Sequence, residues 1–206
     1  MTNKLDDMNI RELGHLFPVI ISEPDPHWKA CYRSEKKNIL RRIGRERIIR
    51  ISHIGSTAVP DLPAKPVIDI LIEITPDTVL DVLTDTFISA GYHFIPKSEN
   101  PPPHMMFVKG YTEQGYAGQA YHVHIRYKGD WDEIIFRDYL AGHPGTAAEY
   151  AALKRNLAAR HTHNRETYTG AKSDFIRRVV ALARKNNMPS PGVPGPPPDG
   201  KAVIRQ

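Results

Sequence analysis

With 206 residues and 40% apolar content, the chain can bury one sizeable core, which argues for one domain with tails rather than two domains. Its net charge of +5 favours anionic partners, yet much of it sits in one cluster (Lys36, Lys37, Arg41, Arg42, Arg45, Arg47, Arg50) whose helical spacing reads as a solvated face rather than a nucleic-acid track. A lone Cys31 excludes an intramolecular disulfide and a Cys-based zinc site, and with no apolar run near the ~20 residues of a bilayer span and no apolar signal core, the expectation is a soluble, cytoplasmic protein without a membrane partner.

Residues 1–20 carry little pattern and read as a lead-in. In Glu23-Pro24-Asp25-Pro26-His27-Trp28, Asp25 is a reasonable cap with Pro26 at the first helical position, and a helix follows from about Trp28 to Gly44. The β-branched run Ile48 to Ile54 predicts a strand. Gly55 to Pro66 is a loop stiffened by Pro60, Pro63 and Pro66, and Val67 to Ile74 is apolar enough for a strand buried on both faces. Thr78 to Gly91 reads as a helix. Short strands are expected at Tyr92 to Ile95, Met105 to Val108 and Ala120 to Tyr127, with a Gly-rich turn between Lys109 and Gly118. Helices at about 131–141, 144–162 and 165–186 follow, and 187–206, containing SPGVPGPPPDG, reads as a disordered tail of polyproline character. The order gives an α+β domain over 21–186, a mixed sheet flanked by helices, with the C-terminal helices as a cap.

Chemistry concentrates in Ser52 to Ile74, SHIGSTAVPDLPAKPVIDILIEI. Gly55 lets the backbone approach a phosphate, Ser56 offers a hydroxyl, and Asp69 on its strand can hold a divalent metal. Alternation puts Asp69, Leu71 and Glu73 on one face; about 13 Å separates the two acids, so Asp69 is the candidate ligand and Glu73 a rim or surface carboxylate. A carboxylate in so apolar a strand needs a partner, and Lys65 can neutralise it or, with its backbone extended before Pro66, aim at a triphosphate. His122 and His124 in AYHVHIRY share a face with Cα atoms roughly 6–7 Å apart. That spacing suits two ligands of one metal, two donors to a phosphate, or two histidines bonded to carbonyls. On the C-terminal helices Tyr150 pairs with Lys154 and Tyr168 with Lys172 at a spacing of four, and Arg137 adjoins Asp138. Such sets stack on a base and neutralise phosphate, or are ordinary packing with surface charge.

The block HIGSTAVPDLPAKPVIDI, with DPHW near the start, YHVHI, IFRDYLAGHPGTAAEYAALK and YTGAKSDFIRRV, resembles the GrpB family over roughly Pro24 to Val180. The resemblance implies a nucleotidyltransferase-like fold of the DNA polymerase β type and an association with dephospho-coenzyme A kinase, to which family members are fused in some bacteria. It also implies Gly55 and Ser56 as the Gly-Ser element, Asp69 as the strand acid, and the His122/His124 strand as the place of a third metal-binding position. Leu71 departs from the wider superfamily, which has a second acid there; one acid with two histidines suits a single metal, or one softer than magnesium. Two functions follow. In the first, a nucleotidyltransferase dependent on Mg, Mn or Zn moves a nucleoside monophosphate onto a small-molecule or protein hydroxyl. Asp69 and Ser56 would be catalytic, Asp69, His122 and His124 would hold the metal, and Gly55, Ser56, Lys65, Arg137 and Lys172 would bind the nucleoside triphosphate. In the second, the same fold is a non-catalytic nucleotide- or coenzyme A-related binding module.

Overall fold

Alternating side chains along two long strands decide the architecture, because they leave one face of the sheet apolar and the other polar. In the computed structural model, which describes residues 8–96 and 98–186, β1 (Ile48–Ile54), β2 (Val67–Ile74), β3 (His93–Pro96), β4 (Met105–Thr112) and β5 (Gly115–Tyr127) form one sheet of order β1-β2-β5-β4-β3. The β2–β5 pair is parallel and the other three are antiparallel, so the sheet is mixed as expected. The tail expected at 187–206 lies outside the described residues.

Ile68, Ile70, Ile72 and Ile74 of β2 and Tyr121, Val123 and Ile125 of β5 point to one side. There they pack with Trp28, Ile39 and Ile43 of α2 (His27–Ile43, with Trp28 at its start) and with Leu83 and Phe87 of α3 (Leu80–Ser89). Fully burying each such side chain contributes about 1.5–3 kcal/mol, so this layer supplies the main drive to fold. The opposite face carries Asp69, Leu71 and Glu73 beside His122, His124 and Arg126, register partners in that order. Four helices cover that side of the chain: α4 (Asp132–Gly142), α5 (Pro144–Arg160), α6 (Arg165–Gly170) and α7 (Ser173–Lys185). Val59 and Leu62 of the 55–66 loop pack with Phe136, Tyr139, Tyr150 and Val180 of these helices, which pins the loop between sheet and cap.

The elements match the sequence reading closely, with four informative differences. The lead-in contains α1 (Ile10–Leu16), started by a capping box in which Asn9 accepts from the Glu12 backbone and Glu12 reaches back to the Asn9 N–H. Strands β4 and β5 extend further than expected because Gly110, at φ +86°, absorbs a register shift inside the hairpin and narrows the turn to Glu113-Gln114. The expected 165–186 helix breaks at Ala171-Lys172, after Gly170.

The fourth difference concerns Glu73, which is no rim carboxylate: it is 1% exposed. It accepts hydrogen bonds from the Arg50 guanidinium, from Gly129 N at 2.9 Å and from Trp131 Nε1 at 3.1 Å. These contacts tie the turn after β5 to the centre of the sheet. Glu73→Ala should therefore cost about 3–5 kcal/mol, the scale for breaking a buried pair and orphaning its donors. Denaturant unfolding checks this, and a loss under ~1 kcal/mol would contradict the role.

Among the described residues no helix is long and apolar enough to cross a membrane.

Candidate functional site

The site begins where β1 turns into the loop. Gly55 has φ +70° and ψ −174°, a conformation nearly confined to glycine, and a Cβ built there would lie 2.4 Å from Asp69 Oδ2. The bare backbone thus cradles the Asp69 carboxylate. Ser56–Ala58 form a 3-10 turn held from behind: Thr57 Oγ1 donates to the Val67 carbonyl at 3.2 Å and meets His53 Nε2 at 3.0 Å. Because the threonine proton goes to Val67, the histidine must donate. Burial holds the His53 pKa near 4, which keeps that ring neutral.

Asp69 is flanked by both histidines of β5, as strand alternation requires. His122 Nδ1 is 3.3 Å and His124 Nε2 4.0 Å from its Oδ1. His122 is clamped on its other side, with Nε2 2.7 Å from Tyr111 Oη, and Arg165 lies 3.4 Å beyond that hydroxyl. Burial lowers the His122 pKa, so the neutral ring donates through Nδ1 to Asp69 and accepts from Tyr111. Burial alone would raise the Asp69 carboxyl; the N–H groups of the two histidines outweigh it and hold the group far below the usual carboxylate range. Asp69 is thus fixed and ionised by histidines rather than by Lys65.

Lys65 instead joins Lys154, Arg165 and Lys172 around a cavity of about 390 Å³ that has Asp69, Ser56, His122 and His124 on its wall. Glu99 is the other carboxylate lining it, so cations outnumber acids. Lys65 Nζ and Lys172 Nζ lie 5.5 and 4.3 Å from the Tyr168 ring centroid, and Lys154 Nζ donates to the Pro63 carbonyl. Burial, helped by repulsion from neighbouring cations, lowers Lys154 to about 7 and Lys65 to about 8. Lys172 falls to about 8 by burial, with Asp69 opposing the shift. Crowding cations that repel one another is costly unless an anion joins them.

Of the residues singled out in the sequence, Gly55, Ser56, Lys65, Asp69, His122, His124 and Lys172 come together. Arg137 does not. Its guanidinium binds Asp138 at 2.6 Å and the His53 carbonyl at 2.7 Å, and it lines a separate cavity with Tyr32 and Pro60. The sequence reading missed Arg165 and Tyr111 altogether; Lys154 was visible only through its spacing from Tyr150.

A metal fits part of the expected ligand set. Among the described residues no group of three or more His, Cys, Asp or Glu side chains forms a ready cage. Both ring nitrogens of His122 are engaged, whereas the buried His124 Nδ1 has no hydrogen-bond partner among the described residues. Asp69 with His124 Nε2, in the tautomer that carries the ring proton on Nδ1, suits a hard or borderline cation that completes its shell with water and phosphate oxygens.

A second cavity of about 590 Å³ shares Ser56, Asp69 and His124 with the first. Its lining is largely apolar, with Ile54, Trp131, Phe136 and Ile176, and its acidic members besides Asp69 are Asp130, Asp132 and Glu133.

Comparison with known proteins shows which sequences and structures the chain resembles. The model of the family described as GrpB protein matches residues 18–182. The UPF0157 protein YqkA of Bacillus subtilis is 34% identical over 177 residues, covering 83% of this chain and 50% of that one. A dephospho-CoA kinase of Mycolicibacterium paratuberculosis is 30% identical over 188 residues, covering 81% of this chain and 46% of the kinase. The chain spans about half the length of these two relatives. The crystal structure of conserved protein GrpB from Enterococcus faecalis superposes with a TM-score of 0.70 at 28% identity, covering 81% of this chain and 98% of that one.

Proposed function

The chain belongs to the GrpB family, and we propose that it is a nucleotidyltransferase-like protein that binds a nucleoside triphosphate and transfers its nucleotidyl group to a hydroxyl of a small molecule or protein. One observation carries the reading: four cations, Lys65, Lys154, Arg165 and Lys172, converge on a cavity whose wall holds the ionised Asp69 and the Gly55-Ser56 turn. A triphosphate supplies the negative charge this cluster lacks.

In the proposed reaction the acceptor oxygen bonds the α-phosphorus, the bond to the bridging oxygen breaks, and pyrophosphate leaves toward the lysines. Catalysis is then mainly positioning and charge stabilisation. Asp69, kept ionised, orients the incoming hydroxyl, whose departing proton passes to water in the cavity. Ser56 binds a phosphate oxygen from the floor of the turn. A divalent cation brought with the nucleotide would be held by Asp69 and His124 and would neutralise phosphate charge. His122 positions Asp69 through the contacts to Asp69 and Tyr111.

Full-length protein supplied with nucleoside triphosphates labelled at the α-phosphorus, with magnesium, manganese or zinc and a panel of hydroxyl acceptors, should form labelled product and pyrophosphate in equal amounts. Binding without turnover under every metal would favour a non-catalytic module instead, a reading supported by the similarity to a dephospho-CoA kinase. No binding contradicts both readings.

The lysines give this site a pH signature. Only protonated lysines attract phosphate, and Lys154, Lys65 and Lys172 lose their protons in turn near 7 and 8. Triphosphate affinity should fall about tenfold or more from about pH 7 to about pH 9.5, above the ~6 phosphate pKa, where ligand charge is constant. Stability of the free protein runs the opposite way. Over the same window unfolded lysines, with pKa ~10.4, bind more protons than folded ones, so stability rises with pH. Calorimetry and denaturant titration across the window check both slopes.

A further inference from the structure

The two cavities that meet at Ser56, Asp69 and His124 differ in character. One is cationic. The other, about 590 Å³, falls in the size range of small-molecule sites and is walled by Ile54, Trp131, Phe136 and Ile176. Asp130 and Asp132, both paired with Arg184, and Glu133, beside Arg126, line this second cavity with no lysine or arginine among its lining residues, so it offers phosphate no free cation. Its most distinctive wall is fixed in place. Trp131 Nε1 donates to the buried Glu73 at 3.1 Å, and the Arg126 guanidinium lies 5.8 Å from the indole centroid, so the ring is held and cannot swing aside.

A ligand lying across Ser56 and Asp69 would therefore meet opposite requirements at its two ends: an anionic end among the lysines and a flat apolar end against Trp131. We propose that the apolar cavity receives the aromatic base of the nucleotide whose phosphates occupy the cationic cavity, with Trp131 as the stacking surface. This rests on the triphosphate reading of the cationic cavity and adds the orientation of the ligand and a residue that recognises its base. Glu73 acts as a positioning residue, through Trp131.

The chain offers a built-in probe. It has two tryptophans, and Trp28 is 5% exposed in the core on the other face of the sheet, which leaves Trp131 to report on the cavity. The test titrates full-length protein with inorganic tripolyphosphate and, separately, with adenosine triphosphate, following tryptophan emission excited at the red edge. Both ligands should bind; the nucleotide alone should quench Trp131 and should bind about tenfold tighter or more, the effect of one stacked base. Trp131→Leu should bring the nucleotide down to the affinity of tripolyphosphate, and Trp131→Phe should retain most of the difference. Equal affinities with undisturbed emission would overturn the proposal while leaving the triphosphate reading intact. Failure of both ligands to bind would overturn the triphosphate reading itself. If the variants do not fold, the wild-type emission and the affinity ratio still decide.

Discussion

Asp69→Asn is expected to reduce nucleotidyl transfer by about a hundredfold or more, the scale for losing one acid-base or electrostatic group, while triphosphate affinity measured without divalent metal stays the same or improves. The split follows from where the charge sits. Asp69 is ionised beside four cations, and its charge raises the pKa of both Lys65 and Lys172. Removing that charge makes the cavity more positive by one unit. The lysines can release at most a compensating fraction of a proton, so the net field on a polyphosphate does not weaken. Asparagine keeps the shape that Gly55, His122 and His124 enclose but cannot supply the anionic oxygen that orients a hydroxyl. Separate measurement of turnover and of nucleotide affinity checks this. Turnover within about tenfold of wild type, or loss of metal-free binding along with turnover, would contradict the role given to Asp69.

Gly55→Ala should come close to Asp69→Asn in lost turnover and should also destabilise the fold. Two costs combine. The backbone at φ +70° and ψ −174° strains any side chain by about 1–3 kcal/mol. The new methyl carbon would also fall 2.4 Å from Asp69 Oδ2 and 3.1 Å from Asp69 Cβ, so the carboxylate must leave its place between the histidines. Gly91 provides the control: its φ is +83°, but a Cβ there meets nothing within 4 Å. Gly91→Ala should therefore lose stability from strain alone and keep its activity. Denaturant midpoints and the transfer assay on both variants separate the two costs, and an active, stable Gly55→Ala would refute the cradle.

Much of this site was legible in the sequence because its geometry is local or periodic. One loop joins Gly55 to the strand that carries Asp69, and alternation along β5 placed His122 and His124 on a common face before any register was known. The parallel pairing of β2 with β5 then sets Asp69 directly against His122. What remained hidden depends on partners far apart in sequence. Glu73 looked like a surface acid because its donors lie on other elements: Arg50 on β1, and Gly129 and Trp131 in a turn more than 50 residues away. Arg165 belongs to a short helix whose start is set by Asn164 and whose end is set by a break no periodicity announced. Arg137 looked available for phosphate, but the His53 carbonyl and Asp138 hold it elsewhere. In each case the side chain's chemistry was readable and its address was not. The helix α1 is different: its Asn9–Glu12 capping box was present in the sequence and unused.

Whether the lysine-lined cavity is a polyphosphate site is measured most directly by calorimetric titration of the full chain with inorganic tripolyphosphate at neutral pH, beside a Lys154→Met/Lys172→Met double variant. These two lysines line the cavity without touching Asp69, so the variant removes charge and leaves the Asp69–histidine contacts in place. The wild type should show one saturable site, with affinity falling about a hundredfold or more in the variant, as loss of two charge-assisted contacts requires. No binding to the wild type, or equal binding to both proteins, would contradict the polyphosphate site.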